Sequence, residues 1–457
     1  MSRMRRPSRS RSRNEAYVSG SRRIRLWVVT AGLLVVLGAA CSPRGSDRSE
    51  SLVARLEAQI PDVIARGNSP SMQVAVVHGD RLIWSRGFGK NPRVDSVHMN
   101  GSVQKVFDAV AVLQLVERGL IDLDVDVGTY LPFELRHPGY PKIPVTVRML
   151  LAHRSGLGAA DHQFAWDTGS AFSPKYRSAC PPDLLEMSLK QFVAASLTPE
   201  GSNNNERIWI AEPGTRYHYS LVAFPLLRSM VEQVTGQSFP DYMRQNIFEP
   251  LEMTNSSLKA EMFAGRHTVP HTRIDGENVE LPVWDGRGYQ MHTTAEDQAR
   301  FMLALMNRGQ AAGFQLLRTE TVELMQTSTT RHKVLFKISP DMQRVGDSPG
   351  LNLFRCGWYG YGGSTPGYQC LWRYHPSKQV GYVILTNVNA ILGGGDNYAS
   401  ARSEIYDVQD ALVAVLDPTL AVRSRAGEIA FVGAITLAWA ALLILLRRRK
   451  RARRIQT

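Results

Sequence analysis

The chain has 457 residues, of which 44% are hydrophobic, 8% aromatic and 21% charged. This composition excludes collagen-like, wholly disordered and disulfide-knot classes, and the length accommodates one large two-lobed domain or two to three average ones. A formal net charge of +13 invites a nucleic-acid partner, but nine Arg against one Glu in residues 1–25, and seven basic residues in 447–457, more than account for it. The body is close to neutral, and no nucleic-acid binding is expected.

In chain order, residues 1–41 read as a basic N-terminus followed by an uncharged run, Trp27 to Ala40. A short apolar stretch ending in small residues (Gly38-Ala39-Ala40-Cys41) fits a signal peptide. Three outcomes stay open for it: plain cleavage, lipid attachment at Cys41, or an uncleaved anchor. Leu37 stands one place early for the lipid pattern, and Ser21-Arg22-Arg23 is only a faint twin-arginine signal. Residues 42–50 are polar and read as a linker. Residues 52–66 read as an amphipathic helix. The apolar runs 72–78 and 81–87, split by Gly79-Asp80, predict a β-hairpin. Helices are expected over 103–118, 222–235 and 294–308, each followed by Gly. Residues 368–374 and 380–387 read as strands joined by a turn at Pro376-Ser377-Lys378. Strands at both ends and helices between predict an α+β domain over 51–418, with one antiparallel sheet built from the two ends beside a mainly helical lobe.

Residues 429–446 carry no charge. At about 1.5 Å per residue they span roughly 27 Å, close to one hydrocarbon core, so a transmembrane helix is expected. The basic tail 447–457 follows and is assigned to the cytoplasm by the positive-inside rule. The body is then expected on the extracytoplasmic side of the cell membrane. Of the four Cys, Cys41 belongs to the processing region and Cys180 stands alone. Cys356 and Cys370 flank a Gly-rich turn and are candidates for a cross-strand disulfide. No Cys or His cluster has zinc spacing, and no metal or other cofactor is expected.

The sharpest chemical feature is Gly101-Ser102-Val103-Gln104-Lys105. A serine three residues before a lysine at a helix start places both side chains on one face. A serine nucleophile needs a nearby base, and a lysine near the core supplies one. The residues that follow, from Val106 to Leu113, are mostly apolar, which predicts a helix buried nearly all round and Lys105 near the core. The bland alternative is Ser102 as an N-cap with Lys105 reaching solvent.

With these residues the sequence resembles the serine β-lactamase and penicillin-binding-protein-like hydrolases, a broad group that includes D,D-peptidases and some esterases. The resemblance runs from about Met72 to Asn387. It rests on ordered segments: 101–105, Leu115 to Gly119, Thr129 to Pro132, Leu150 to Leu157, Glu212 to Ser220, Thr294 to Asp297, Gly362 to Gly367 and Leu385 to Asn387. It implies a β-lactamase/transpeptidase-like fold, Ser102 as the acylated nucleophile, Lys105 as base and Tyr219 as proton relay. The family's third motif maps to Tyr361-Gly362-Gly363, and the backbone N–H groups of Ser102 and Ser364 are the implied oxyanion hole.

Two positions depart from the family pattern. Leu221 stands where the family's tyrosine motif has Asn, and Tyr361 stands where the third motif has Lys or His. Groups that read an amide plus a carboxylate are thereby lost, as in the esterase-like branch. The expected activity is hydrolysis of an ester or uncharged acyl substrate through an acyl-enzyme. The alternatives are a penicillin-binding D,D-peptidase or D-aminopeptidase-like enzyme on peptidoglycan-like substrates, and a non-catalytic cell-envelope binder. Arg355, Arg373 and Lys378 are candidates to replace the missing cation. Other features take plainer readings. Thr293, Thr294, Glu296 and Asp297 fit a capped helix start. His153 with Ser155 fits a helix end and turn, since no Gly-x-Ser-x-Gly elbow is present. Gly87-Phe88-Gly89-Lys90 leaves a strand. His218 packs on the surface or lines the cleft. Asp122, Asp124 and Asp126 lack calcium-loop spacing and fit a solvated edge. The stretches 160–185 and 198–206 read as a lid or a surface insertion.

Overall fold

The computed structural model describes residues 45–90, 92–158, 186–202, 204, 208–283, 288–328, 330–331, 344–389 and 395–420. The expected signal segment, Cys41, Cys180, all of 160–185, the apolar run 429–446 and the basic tail lie outside them. Two compact units are distinguished, Met1–Ser51 and Leu52–Thr457. In the first, the described residues are helical. The second carries the sheet and the site.

The strands are β1 (Ser71–His78), β2 (Arg81–Gly89), β3 (His98–Met99), β4 (His271–Ile274), β5 (Glu277–Glu280), β6 (His292–Thr293), β7 (Gln310–Ala311), β8 (Phe314–Gln315), β9 (Thr330–Arg331), β10 (Arg344–Ser348), β11 (Leu351–Phe354), β12 (Tyr359–Thr365), β13 (Tyr368–His375), β14 (Val380–Thr386) and β15 (Val388–Asn389). An eight-stranded sheet has the order β2-β1-β14-β13-β12-β11-β10-β9. Its pairings are antiparallel, including β1 against β14. The two ends of the domain therefore meet in one sheet, as the sequence predicted. Gly79 turns the β1–β2 hairpin at φ 65°.

The central strands read as apolar runs because both faces are covered. Ala75, Val77, Val383 and Leu385 face one core, and Val74, Val76, Tyr382 and Ile384 face the other. The helices are α1 (Gly45–Ala65), α2 (Gln104–Glu117), α3 (Val147–Leu151), α4 (Leu189–Leu197), α5 (Ala223–Thr235), α6 (Phe239–Met243), α7 (Ala295–Met306), α8 (Thr319–Gln326) and α9 (Gly395–Leu416). Leu56 and Ile60 of α1 pack with Ile405, Val408 and Leu412 of α9 on one face of the sheet. Helices α2, α5 and α7 fill the other core.

Helix α1 begins at Gly45, inside the segment expected to be a linker. Asp47 and Glu50 near its start favour a helix N-terminus. Helix α2 is buried from Gln104 to Leu115, which matches the all-round apolar reading. The N-cap reading of Thr294 holds, since its hydroxyl accepts the Asp297 N–H. The three aspartates go to separate partners. Asp122 accepts the Asp124 N–H at 2.8 Å, Asp124 pairs with Arg148 at 2.7 Å, and Asp126 pairs with Arg136 at 2.6 Å. The candidate cross-strand disulfide is not formed: Cys356 and Cys370 are both free. Cys370 lies in β13 opposite Gly363, its thiol against Gln298 at 3.6 Å, whereas Cys356 sits in an exposed turn. Among the described residues no helix is long and apolar enough to cross a membrane.

Candidate active site

A 3-10 turn, Gly101–Val103, runs directly into α2. Gly101 takes φ 52°, which a residue with a Cβ rarely adopts, and the turn presents the half-buried Ser102 at the head of the buried helix. One turn on, Lys105 is only 6% exposed, and its Nζ donates to Ser102 Oγ at 3.3 Å. Lys105 Nζ lies over the rings of Tyr219, at 5.2 Å, and Phe224, at 5.5 Å. The Tyr219 hydroxyl is 2.6 Å from Ser102 Oγ. The three residues expected to carry the chemistry are thus brought together, with Oγ in contact with both the amine and the phenol.

Strand β12 closes the site from the sheet. Strand β11 pairs with it only at Tyr359 and Gly360, so Tyr361 to Thr365 form an edge that the serine turn approaches. The approach is backbone to backbone. A Cβ on Gly363 would lie 1.9 Å from Asn100 O and 3.0 Å from Ser102 N, and one on Gly101 would lie 2.8 Å from Ser364 N. The two candidate oxyanion donors, the N–H groups of Ser102 and Ser364, are therefore neighbours. Gly362 faces the other way, toward Leu371 and Arg373, so only its backbone serves this edge. Tyr361 is 5% exposed. Its hydroxyl is 3.3 Å from His153 Nε2, and its carbonyl accepts from Arg373. Leu221 is half-buried just before α5.

Neither of two candidate replacement cations serves the cleft. Arg373 is 1% exposed and is held by the carbonyls of Tyr361 and Trp372. Lys378 is ion-paired with Asp417. The side chain of Arg355 lies outside the described residues. Among the described residues no group of acidic, His or Cys side chains could hold a metal ion. Ser155 is fully buried and its hydroxyl accepts only a turn N–H, that of Leu157, among the described residues.

Three supporting residues were not assigned a role from the sequence. The Gln104 amide donates to Tyr289 O at 2.6 Å and accepts from Met291 N at 2.9 Å, which fixes the segment beside the serine turn. Asn389 donates to Ser364 Oγ at 2.6 Å and to Thr365 O at 3.0 Å. His153, the third, does end a helix as expected, yet its ring touches both site tyrosines. The signals available were the Gln inside the serine–lysine motif and the His inside the 150–157 segment.

A half-buried serine flanked by a lysine and a tyrosine, and faced by a glycine edge strand, lies between the sheet and the helical lobe. The chain matches the Beta-lactamase family model over residues 53–402 and belongs to that family of serine hydrolases. Penicillin-binding protein 4 of Amycolatopsis lactamdurans is 30% identical over 250 residues, 53% of this chain and 59% of that protein. The chain spans about three fifths of the length of the curated relatives it matches, 59% and 61% for the first two. Its fold is similar to the octameric penicillin-binding protein homologue from Pyrococcus abyssi, with a TM-score of 0.65, 24% identity, and coverage of 80% of this chain and 77% of that one. It is also similar to D-amino acid amidase from Ochrobactrum anthropi SV3 complexed with D-phenylalanine, with a TM-score of 0.60, 20% identity, and coverage of 79% and 99%.

Proposed function

We propose that the chain hydrolyses an ester or amide with an uncharged acyl group through an acyl-enzyme on Ser102, with esters preferred. The observation that carries this reading is the contact of Ser102 Oγ with Tyr219 Oη at 2.6 Å and Lys105 Nζ at 3.3 Å. Oγ attacks the carbonyl carbon, and its proton passes to the Tyr219–Lys105 pair. The N–H groups of Ser102 and Ser364 hold the oxyanion. Collapse of the tetrahedral intermediate expels the alcohol or amine, which takes up the proton. Water then attacks the acyl carbon, returns a proton to Oγ and releases the acid. Leu221 and Tyr361, in place of Asn and a cation, favour substrates without a carboxylate at the recognition end. The amidase and penicillin-binding likenesses support a second reading, cleavage of D-amino amides or D-peptides at the same serine. The apolar run 429–446, with its basic tail, supports tethering to a membrane with the domain outside the cytoplasm.

The test is treatment of the full-length chain with a fluorophosphonate, followed by intact mass and peptide mapping. One adduct on Ser102, absent in Ser102→Ala, is expected, together with faster turnover of esters than of D-amino amides. Faster amide turnover selects the second reading. No adduct on a folded chain refutes both and leaves a non-catalytic binder.

A further inference from the structure

We infer that His153 is a positioning residue that locks Tyr219 and Tyr361 into one arrangement around Ser102. The inference rests on the proposed role of Ser102 and adds a member to that site.

His153 follows the C-cap of α3 and takes φ 53°, an unfavourable region for a residue with a Cβ. That conformation lets one residue bracket Tyr219 from both sides. The His218 N–H donates to the His153 carbonyl at 2.8 Å. The Ser220 N–H donates to the ring Nδ1 at 3.1 Å. The imidazole itself lies against the Tyr219 ring, with centroids 4.7 Å apart and planes at 37°. Phe224, at 5.2 Å, and Tyr217, at 5.6 Å, hold it from other sides. The backbone of the tyrosine segment and the tyrosine ring are thus both set by His153.

The tautomer follows from the same bonds. A backbone N–H only donates, so Nδ1 is an acceptor and carries no proton. In the neutral ring the proton is on Nε2, which points at the Tyr361 hydroxyl 3.3 Å away. His153 donates this bond and Tyr361 Oη accepts it. The residue is 4% exposed, so bulk water does not substitute for either partner. A buried histidine is ordinarily a packing residue with one local partner. Here the bonds reach 67 and 208 residues along the chain, to the tyrosine segment and the third motif. His153 touches no reacting atom. It acts through the two tyrosines.

The test is steady-state hydrolysis of p-nitrophenyl esters by the full-length chain and by His153→Phe, His153→Asn, Tyr361→Phe and the His153→Phe/Tyr361→Phe double variant. His153→Phe keeps the ring stack and removes both side-chain bonds. It should lower kcat about 10- to 100-fold with KM nearly unchanged and the thermal midpoint retained. Asn, which places an acceptor near the Nδ1 position, should restore part of kcat. The double variant should lose less than the product of the single losses. A native kcat in His153→Phe, or strictly multiplicative losses, overturns the inference. If the wild-type chain turns over no ester, the Ser102 reading fails, and ring ¹⁵N NMR then decides the His153 inference alone. The His153 signals, assigned in the wild-type chain by through-space contacts to the Tyr219 ring 4.7 Å away, should show the Nε2–H tautomer and shift in Tyr361→Phe. A proton on Nδ1, or no shift, overturns it. The same Tyr361→Phe spectrum serves if the His153 variants do not fold.

Discussion

Gly363→Ala isolates the oxyanion geometry from the catalytic side chains. The new Cβ would sit 1.9 Å from Asn100 O and 3.0 Å from Ser102 N, both backbone atoms that no rotamer change can clear. Restoring a carbon–oxygen contact of about 3.3 Å requires the strand or the serine turn to move by about 1.4 Å. A shift of that size takes the Ser364 N–H out of line with the Ser102 N–H, and where the strand takes it up, Ser102, Lys105 and Tyr219 keep their mutual contacts. Loss of one such donor costs about 10²- to 10³-fold in kcat, and the forced fit costs about 1–3 kcal/mol of stability. Gly362→Ala is the comparison. Its Cβ would meet Leu371 Cδ2 at 3.5 Å and Arg373 Nη2 at 3.7 Å, both ordinary contacts. Its loss in kcat should be at least about tenfold smaller, since the donor geometry is preserved. Ester hydrolysis and urea unfolding of both variants supply the numbers. A kcat for Gly363→Ala within threefold of wild type would refute the close-approach argument.

Three further outcomes follow from buried groups. Arg228 donates to Asp108 Oδ2 at 2.8 and 2.9 Å, and the pair is 4% and 0% exposed. Arg228→Met should therefore cost about 3–5 kcal/mol by leaving a buried carboxylate, and Asp108→Leu in the same chain should recover most of it; urea midpoints measure both, and a loss under about 1 kcal/mol contradicts the pairing. Burial lowers the His98 pKa to about 3 from an ordinary 6.5. Below pH 6.5 the unfolded chain binds a proton that the folded chain does not. The stability held above that pH is then lost at up to about 1.4 kcal/mol per unit as pH falls toward 3. His98→Gln should flatten the fall in urea midpoint between pH 6.5 and 4, and an unchanged slope counts against the assignment. Burial pushes the Cys370 thiol up to about 12, while Cys356 is exposed. Iodoacetamide on the native chain should label Cys356 and spare Cys370 in peptide mass spectra; a disulfide-linked peptide pair would contradict the separation seen here.

What the sequence disclosed was set by local periodicity. The β1–β2 hairpin and α2 were legible because apolar runs and a turn glycine specify them without help from distant residues. Pairing of β1 with β14 followed from strands lying at both ends of the domain. Strand β12 was not legible from propensity, since Tyr359–Thr365 contains three glycines and β-formers are few. It was placed only through the family's third motif, and it holds as a strand because every residue from Tyr359 to Thr365 pairs with β13, while its glycines let the serine turn approach. The polar β4 and β5, with sequences HTRI and ENVE, carry no alternation to read. Ser102 and Lys105 came from spacing on one helix face, but Tyr219, 117 residues away, came only from the family resemblance. His153 stayed a turn residue because its partners lie beyond any sequence window.

On the proposed reading, residue 361 governs what the cleft accepts. A Lys or His there would offer a cation to a substrate carboxylate. Tyr361 is instead buried, with its oxygen engaged by His153, and Arg373 is spent on the Tyr361 carbonyl from beneath. Lys378 is committed to Asp417. Lys105 is set behind Ser102 against two aromatic rings, with its Nζ on the Ser102 hydroxyl. A carboxylate entering such a cleft sheds water at a cost of several kcal/mol per ion, and neither Arg373 nor Lys378 supplies a compensating charge. A methyl ester of the same substrate pays no such cost. A phenyl ester that carries a remote carboxylate should therefore react with kcat/KM at least about tenfold lower than its methyl-capped form, since about 1.4 kcal/mol suffices for that ratio. The ratio should narrow in Tyr361→Lys, where a cation returns to the third motif. Equal rates for the two esters in the wild-type chain would mean that a cation does reach the substrate, and the case for an uncharged acyl group would fall.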